Sequence, residues 1–292
     1  MIVCPSVSKR SIRQHYDLAT PFYRLLWGPH IHHGLWEGEE PPAEAQGRLV
    51  DRLARAAALG RGQAVLDVGC GMGGSTIELA RSYHCTTTGL TLSPVQCTWA
   101  ALAARRQGVS GRARFLCSDA ETIRFPEATF DVVWNVECSE HLFDKPGFFR
   151  RVADWLRPGG RIALCAWLAG DGPDARREAM LVCEAFLCPS LGTAEDYRGW
   201  LTSAGLTLQL FADLTADVGR TWDVCIRRVR ASGVGLLSRL AGRKVRTFID
   251  HFVTLGNAYR SGAMRYGLFV AEKEVCGSGF SPNQCLRDVC SR

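Results

Sequence analysis

The chain has 292 residues, 47% of them hydrophobic and 22% charged, which suits one large globular domain or two small ones and excludes disordered and collagen-like chains. No apolar run approaches the roughly 20 residues of a membrane-spanning helix, and the amino terminus lacks the apolar core of a secretory signal, so we expect a cytoplasmic protein without integral membrane association. The formal net charge is +6, and the basic residues are mostly arginine, since the chain contains only 4 lysines.

Two amphipathic helices are predicted near the amino terminus. Ser11–Trp27 and Glu44–Leu59 both place apolar residues at helical spacing. We expect residues 1–60 to form a helical cap on the rest of the protein.

The pattern from residue 62 to 168 alternates short apolar runs with longer amphipathic ones, as in a parallel sheet with crossover helices. The predicted strands are Ala64–Val68, Cys85–Leu90, Arg114–Cys117, Phe130–Asn135 and Arg161–Trp167, and the predicted helices are Gly74–Ser82, Pro94–Gln107 and Pro146–Leu156. This order of elements predicts an α/β fold.

The remainder of the chain is mixed and mainly helical from Asp171 to about Tyr259, with a strand predicted at Leu206–Phe211 and a final one at Met264–Lys273. We therefore expect one domain over residues 61–273 that carries an insertion at 171–259. The polar tail, 274–292, is predicted to be disordered.

Positive charge is concentrated between Arg220 and Arg246. This stretch holds eight basic residues, Arg220, Arg227, Arg228, Arg230, Arg239, Arg243, Lys244 and Arg246, against one acid, Asp223. It fits an anionic ligand such as a phosphate or diphosphate, a membrane surface or nucleic acid, but a solvated helix face is the favoured explanation.

The 13 cysteines are odd in number, spread from Cys4 to Cys290, and never spaced as C-x-x-C. This pattern favours free thiols in a reducing compartment over a disulfide framework or a zinc site. Cys70, Cys117 and Cys165 lie in or beside apolar runs, where cysteine packs as a small hydrophobic residue.

The strongest local signal is AVLDVGCGMGGSTIELA, residues 64–80, a buried strand that runs into a glycine loop and then a helix. Gly69, Gly71 and Gly74 also satisfy the dinucleotide fingerprint G-x-G-x-x-G, so the spacing alone does not name the ligand. Glycine is needed where a ligand approaches the backbone closely at the amino end of a helix.

Two departures argue against a nicotinamide or flavin cofactor. Asp67 lies inside the strand, two residues before Gly69, and the next strand ends in Gly89-Leu90-Thr91 without the ribose-binding acid expected about 20 residues on. A carboxylate just before the loop suits a ligand that carries an ammonium group. S-adenosylmethionine is such a ligand, with an amino acid end, a ribose and an adenine.

Several motifs together carry a family resemblance. VLDVGCGMGG, GLTLSPVQ, SDAETIRFPEATFDVVW, ECSEHLFDK and LRPGGRI, with HYDLATPFYRLLWG and HHGLW ahead of them, resemble the tocopherol methyltransferase branch of class I S-adenosylmethionine-dependent methyltransferases. That branch is similar to sterol and cyclopropane fatty acid methylating enzymes. The resemblance covers about residues 14–273 and implies a Rossmann-like, seven-stranded sheet with a helical cap and an acceptor-binding insertion.

The resemblance also implies roles for individual residues around the cofactor. The implied cofactor-binding residues are Tyr16, Asp67, Gly69, Gly71, Thr91, Leu92, Gln96, Asp119, Ala120 and Asn135. Among them, Asp67 would hold the amino end, Asp119 the adenine amino group, and Asn135 would close the pocket. Asp119 and Asn135 are also explained as residues that merely cap turns.

Ionisable groups follow the fourth predicted strand at its carboxyl end, where open α/β sheets bind ligands. In the similar sterol and prenyl methyltransferases the glutamate that matches Glu137 faces the acceptor. Glu137 is therefore our first candidate for a general base or for stabilising a developing cation, and His141 is the second. The alternative is that Glu140 and His141 only orient the following loop.

Three histidines lie close together in the cap, at His30, His32 and His33, but no carboxylate or cysteine cluster accompanies them, and we predict no metal site. The resemblance places them with Trp36 on the wall of the active site. The aromatic residues of this region, Tyr23, Trp27 and Trp36, are equally explained as core contacts.

The function expected from these features is methyl transfer to a small, largely apolar acceptor of the phenol, isoprenoid or secondary-metabolite type, with the methylated atom open between carbon, oxygen and nitrogen. A nucleic-acid methyltransferase is the first alternative, although the segment after Trp134 lacks the Asn-Pro-Pro-aromatic run of many such enzymes, and we expect no nucleic-acid partner. A scaffold that binds the cofactor without turnover is the second. Homo-oligomerisation stays open, since the first cap helix could exchange between subunits.

Overall fold

The computed structural model of the protein describes residues 1–171, 175–231 and 243–275, with all their side chains except those of Leu26 and residues 243–250. The elements in chain order are β1 (Ile2–Val3), α1 (Lys9–Leu26), α2 (Pro42–Ala56), β2 (Ala64–Val68), α3 (Gly74–Ser82), β3 (Thr86–Thr91), α4 (Pro94–Arg106), β4 (Ala113–Cys117), β5 (Phe130–Val136), a 3-10 turn (Ser139–His141), α5 (Lys145–Trp155), β6 (Leu156–Ala169), α6 (Ala175–Phe186), β7 (Ser190–Leu191), α7 (Ala194–Ser203), β8 (Leu206–Asp213), α8 (Thr215–Val218), α9 (Arg220–Ala231), α10 (Arg243–Ser261) and β9 (Met264–Lys273).

Seven strands form one mostly parallel sheet in the order β4-β3-β2-β5-β6-β9-β8, in which β9 runs antiparallel to both of its neighbours. The Cα of Asp67 in β2 pairs with Gly89 in β3 and with Trp134 in β5. The carboxyl ends of these three strands are therefore level at one edge of the sheet. The expectation of a seven-stranded, Rossmann-like α/β fold is confirmed.

Most predicted elements lie within a few residues of the observed ones. The largest difference is β6, which begins at Leu156 and not at Arg161 as predicted, and so includes the Pro-Gly-Gly segment. Phe130 pairs with Leu156 and Val132 with Arg161, so the segment between them bulges out of register. The sequence gives no sign of the pairing of β1 with β7, because two-residue strands have no period to detect.

The cap packs on the sheet through a hydrophobic core shared with α6, α9 and α10. Helix α1 begins with a capping box, in which the Ser8 side chain accepts a hydrogen bond from the Ser11 amide at 3.1 Å. Further along α1, the Ser93 hydroxyl at the start of α4 donates to Asp17 Oδ1 at 2.5 Å. The cap helix is thus tied to the part of the sheet edge that holds the glycine loop.

Three further expectations concern the cysteines, membrane-spanning helices and the polar tail. The ten cysteines in the described residues are all free thiols, and seven of them are buried. No helix in the described ranges is long and apolar enough to cross a membrane. The predicted tail lies outside the described residues apart from Glu274 and Val275.

The glycine loop touches the cap directly at the start of α3. A Cβ on Gly74 would lie 2.6 Å from both the His30 ring nitrogen Nδ1 and the Pro29 carbonyl oxygen. Only glycine permits so close an approach without displacing backbone. This contact fixes the histidine segment of the cap over the loop.

We therefore predict that Gly74→Ala lowers the free energy of unfolding by about 1–3 kcal/mol, because the added methyl group must push the cap away from α3. Urea denaturation measures the change. The control is Gly47→Ala in α2, where nothing lies within 4 Å of the new Cβ, and this variant should be neutral or up to about 1 kcal/mol more stable. Equal effects of the two substitutions would contradict the close contact.

Candidate active site

A cavity lies at the carboxyl ends of β2, β3 and β5, beneath α1. We call it the glycine-loop cavity. Of the ten residues expected to bind the cofactor, nine line it: Tyr16, Asp67, Gly69, Gly71, Thr91, Leu92, Gln96, Asp119 and Ala120. Both candidate catalytic residues, Glu137 and His141, also line it. The residues selected from the sequence are distant along the chain and line one cavity.

Asp67, the penultimate residue of β2, is a buried carboxyl group beside the glycine loop and is 2% exposed. The Thr76 hydroxyl, at the start of α3, donates to Asp67 Oδ2 at 2.5 Å. Burial raises the pKa of Asp67 to about 7, although the hydrogen bonds from Thr76 oppose the change. A cationic group placed here would restore the charge of the carboxylate.

A second polar contact lies on the opposite side of the loop. The Thr91 hydroxyl, at the end of β3, donates to Gln96 Oε1 at 2.9 Å. Gln96 Nε2 is buried and has no hydrogen-bond partner among the described residues. An amide donor without a partner on a cavity wall is available to a ligand.

The predicted adenine partner, Asp119, already has donors from the chain. Lys9 Nζ lies 2.6 Å from Asp119 Oδ2 and 2.8 Å from Glu121 Oε2, and the Glu121 amide donates to Asp119 Oδ1 at 2.9 Å. Lys9 lines the same cavity, and sequence reasoning missed it, because a single lysine at the start of a helix carries no motif.

Asn135 is the one expected cofactor residue that does not line the glycine-loop cavity. Its Oδ1 accepts from the Ser139 amide at 3.2 Å, and its Nδ2 lies 3.5 Å from the Val68 carbonyl oxygen. Asn135 thus lies outside the lining of the glycine-loop cavity, where it links the end of β5 to the end of β2.

A second cavity lies between the sheet and helices α1, α6, α9 and α10. We call it the aromatic cavity because seven aromatic side chains line it: Tyr16, Tyr23, Trp27, Trp167, Phe186, Trp222 and Phe252. It shares Tyr16, Ile31, His32, Glu137 and His141 with the glycine-loop cavity. These five residues, which we call the shared wall, lie where the two spaces adjoin.

Glu137 is the most heavily bonded group of the shared wall. Its Oε1 accepts from the His33 amide at 2.8 Å, the His33 ring at 3.0 Å and the Tyr266 hydroxyl at 2.7 Å. Its Oε2 accepts from the Trp167 indole nitrogen at 2.9 Å. Burial alone raises the pKa of Glu137, but the interaction with His33 outweighs it and lowers the pKa to about 2. The carboxylate is therefore charged throughout the physiological range.

The His33 ring adopts a tautomer that suits this carboxylate. The indole nitrogen of Trp222 lies 2.8 Å from His33 Nε2, and an indole N–H can only donate. Nε2 must then be the acceptor, which assigns the proton to Nδ1, facing Glu137. The cap thus presents two N–H groups to one buried oxygen.

His141 is a neutral ring with an assigned tautomer. Its Nδ1 lies 3.1 Å from the Leu187 carbonyl oxygen, which can only accept, so Nε2 is left to accept from the Tyr16 hydroxyl at 2.8 Å. Burial lowers the pKa of His141 to about 4. Tyr16 and His141 therefore form a hydrogen-bonded pair across the shared wall.

The other cap histidines hold each other. His30 Nδ1 lies 3.0 Å from His32 Nε2, and His32 Nδ1 lies 2.7 Å from the His33 carbonyl oxygen. Within the described part of the chain, no group of three or more histidine, cysteine, aspartate or glutamate side chains is arranged to hold a metal ion. Trp36 lines neither cavity, and its indole nitrogen donates to Thr221 Oγ1 at 2.9 Å.

The basic stretch lies on the outside of α9 as far as the structure describes it. Arg220 pairs with Glu39, and Arg227 and Arg230 share a surface depression with these two residues and Asp223. No arginine or lysine is among the described residues that line the aromatic cavity. Arg239 and the side chains of Arg243, Lys244 and Arg246 lie outside the described residues.

Comparisons with known proteins find similarity to methyltransferases. The family described as the methyltransferase domain matches residues 66–164. The chloroplastic tocopherol O-methyltransferase of Arabidopsis thaliana is 29% identical over 289 residues, which cover 91% of this chain and 83% of that protein. The 27-O-demethylrifamycin SV methyltransferase of Amycolatopsis mediterranei is 34% identical over 223 residues, 74% of this chain and 81% of that protein.

Two solved structures have a fold similar to that of this chain. The (4+2)-cyclase SpnF has a TM-score of 0.81 and 27% identity, covering 94% of this chain and 98% of its own. The cyclopropane synthase MmaA2 of Mycobacterium tuberculosis shares the fold, with a TM-score of 0.82 and 20% identity over 92% of this chain and 100% of its own. The chain belongs to the class I S-adenosylmethionine-dependent methyltransferases, and it is an enzyme of that family.

Proposed function

We propose that the enzyme methylates a small, largely apolar acceptor, such as a tocopherol-like phenol or an isoprenoid, bound in the aromatic cavity. The observation that carries this proposal is that the aromatic cavity meets the glycine-loop cavity at the shared wall. An acceptor in one space and the cofactor in the other can approach to the ~3 Å that methyl transfer needs.

The residues of the glycine-loop cavity fit S-adenosylmethionine. Gln96 Nε2 offers a buried donor without a partner, suited to a ribose hydroxyl. A Cβ on Gly71, where φ is +53°, would meet only Ile31 at 3.7 Å, so the backbone there leaves room for a ligand. Asp67 supplies the carboxylate for the amino end. Asp119, exchanging part of its contact with Lys9, would accept from the adenine amino group, with Ala120 alongside.

The cofactor supplies an electrophilic methyl group on a sulfonium. The protein holds the acceptor in line with that group and excludes water, which accounts for much of the rate. Glu137 contributes a fixed negative charge beside the reacting centre, and its low pKa favours charge stabilisation over proton abstraction. The Tyr16–His141 pair offers hydrogen bonds that orient the acceptor at the shared wall.

The acceptor class follows from the lining of the aromatic cavity. Aromatic rings favour a planar or branched apolar body, and the described lining contains no cation to neutralise a phosphate. Two of the relatives are named as O-methyltransferase of tocopherol and as methyltransferase of 27-O-demethylrifamycin SV. We infer a role of this kind in secondary metabolism, at a cytoplasmic location, with oligomeric state open.

The proposal is tested by incubating the purified protein with S-adenosylmethionine and an acceptor panel of tocopherol, a sterol, 27-O-demethylrifamycin SV and geranyl diphosphate. Mass spectrometry of the products identifies the methylated atom. We expect turnover of at least one uncharged member and slower turnover of geranyl diphosphate. Cofactor binding without methylation of any member would instead favour a non-methylating protein, and a salt-sensitive shift of tRNA or duplex DNA would revive the nucleic-acid alternative.

The proposed role of Asp67 predicts a pH-dependent affinity for the cofactor. The ammonium group should bind only the ionised carboxylate, so the dissociation constant of the wild type should rise up to tenfold per pH unit as pH falls below about 7. Asp67→Asn should weaken binding about 10- to 100-fold at pH 8 and flatten this dependence. Calorimetry measures both, with Asp154→Asn on the exposed face of α5 as control.

The proposed role of Glu137 predicts that Glu137→Gln lowers kcat at least about 100-fold, because the neutral amide keeps the shape but removes the charge. The dissociation constant of S-adenosylmethionine should change less than about threefold. Glu127→Gln, at an exposed site, serves as the control and should behave as the wild type. A kcat for Glu137→Gln within tenfold of the wild type would contradict the role in charge stabilisation.

A further inference from the structure

A second carboxyl group faces the aromatic cavity three residues after Glu137. Glu140 lies in the 3-10 turn, is 2% exposed and lines the aromatic cavity without reaching the glycine-loop cavity. Its Oε1 accepts from the Trp167 backbone amide. Its Oε2 is buried and has no hydrogen-bond partner among the described residues.

An unpartnered buried carboxyl oxygen is unusual, because leaving such an atom without a hydrogen bond destabilises the folded protein. Glu137, in the same short segment, shows the contrast, since both of its oxygens are bonded. The free oxygen of Glu140 is therefore not needed to hold the turn, which the Trp167 contact already does. It is available to a group bound in the aromatic cavity.

Methylation of a hydroxyl or carbon releases a proton, and the shared wall offers poor acceptors for it. Both oxygens of Glu137 are occupied and its pKa is about 2. Both ring nitrogens of His141 are occupied and its pKa is about 4. Burial raises the pKa of Glu140 to about 8. The hydrogen bond from the Trp167 amide lowers this pKa, and the negative charge of Glu137 raises it. Of Glu137, His141 and Glu140, Glu140 is therefore the strongest base, and the lone pairs of its Oε2 accept no hydrogen bond from the described residues.

We propose that Glu140 is a catalytic residue whose Oε2 takes the proton from the acceptor as the methyl group arrives, an inference that rests on the proposed function. The acceptor forms a bond to the methyl carbon as the carbon–sulfur bond breaks and its electron pair stays on sulfur. The acceptor's O–H or C–H electrons remain with the acceptor, and the proton moves to Oε2. The products are the neutral thioether, the methylated acceptor and uncharged Glu140.

Two charged groups act on Glu140 at neutral pH. Glu137, on the same segment, raises its pKa, and Lys145 in α5 lowers it. Lys145 Nζ itself donates to Ser190 Oγ at 2.6 Å and to two carbonyl oxygens. The other titratable groups whose charges would act on Glu140 are uncharged at this pH: Tyr16, Cys138, Cys165, Cys188, Tyr197 and Tyr259. None of these supplies a competing negative charge.

The test is the single-turnover methylation rate across pH for the wild type, Glu140→Gln, Glu140→Asp and the control Glu184→Gln on the exposed face of α6. The acceptor is the panel member that the wild type methylates. Because only ionised Glu140 accepts a proton, the wild-type rate should rise about tenfold per pH unit and level off above about pH 8. A base at His141 would give a flat rate above about pH 5.

We expect Glu140→Gln to slow the single turnover at least about 100-fold and to lose the rise with pH, while the dissociation constant of S-adenosylmethionine changes less than about threefold. Glu140→Asp should keep the pH rise at a reduced rate. A Glu140→Gln rate within threefold of the wild type, or a wild-type profile without the rise, would overturn the proposal. A wild-type profile without the rise overturns the proposal even if a variant does not fold, and saturating S-adenosylmethionine keeps the pH dependence of Asp67 out of the rate. A wild type inactive on the whole panel points to failure of the proposed function instead.

Discussion

A single buried carboxylate, Glu137, joins the cap to the sheet. Burying an isolated carboxylate is strongly unfavourable, and the four hydrogen bonds it accepts offset that cost. The donors come from the cap, from β6 and from β9, at His33, Trp167 and Tyr266. Glu137 also has a left-handed backbone, with φ of +51°, a conformation that non-glycine residues adopt rarely and mostly where the surroundings hold them.

The two carboxyl groups of this segment reach opposite states because of what surrounds them. Trp167 contacts both, through its indole nitrogen to Glu137 and its backbone amide to Glu140. Glu137 has three further donors and stays charged, whereas Glu140 has none on its second oxygen and is largely neutral at pH 7. Environments that separate the pKa values of neighbouring carboxyl groups assign different tasks to them. Here the charged group suits stabilisation of positive charge, and the other suits proton transfer.

Much of the fold and of the cofactor site was predictable from the sequence. The alternation of apolar runs fixes the strand order along the chain, and the glycine loop with Asp67 marks the edge of the sheet that binds ligands. What could not be predicted depends on contacts between distant residues. Lys9 reaches Asp119 across 110 positions, and Trp222 sets the tautomer of His33 across 189. No local pattern encodes such pairs.

The same limit applies to Glu140. Its sequence neighbours mark it as part of a motif, but only the folded chain shows that one oxygen lacks a partner and that its pKa differs from that of Glu137, which has more donors. Fold likeness does not supply this information either, since the structurally similar proteins include one named as a (4+2)-cyclase. The chemistry of this chain therefore depends on the wall between its two cavities. The segment after β5 supplies Glu137, the carboxyl group of that wall, while the cap supplies Tyr16, Ile31 and His32. Because these cap residues line both cavities, a change in any of them would reach both spaces.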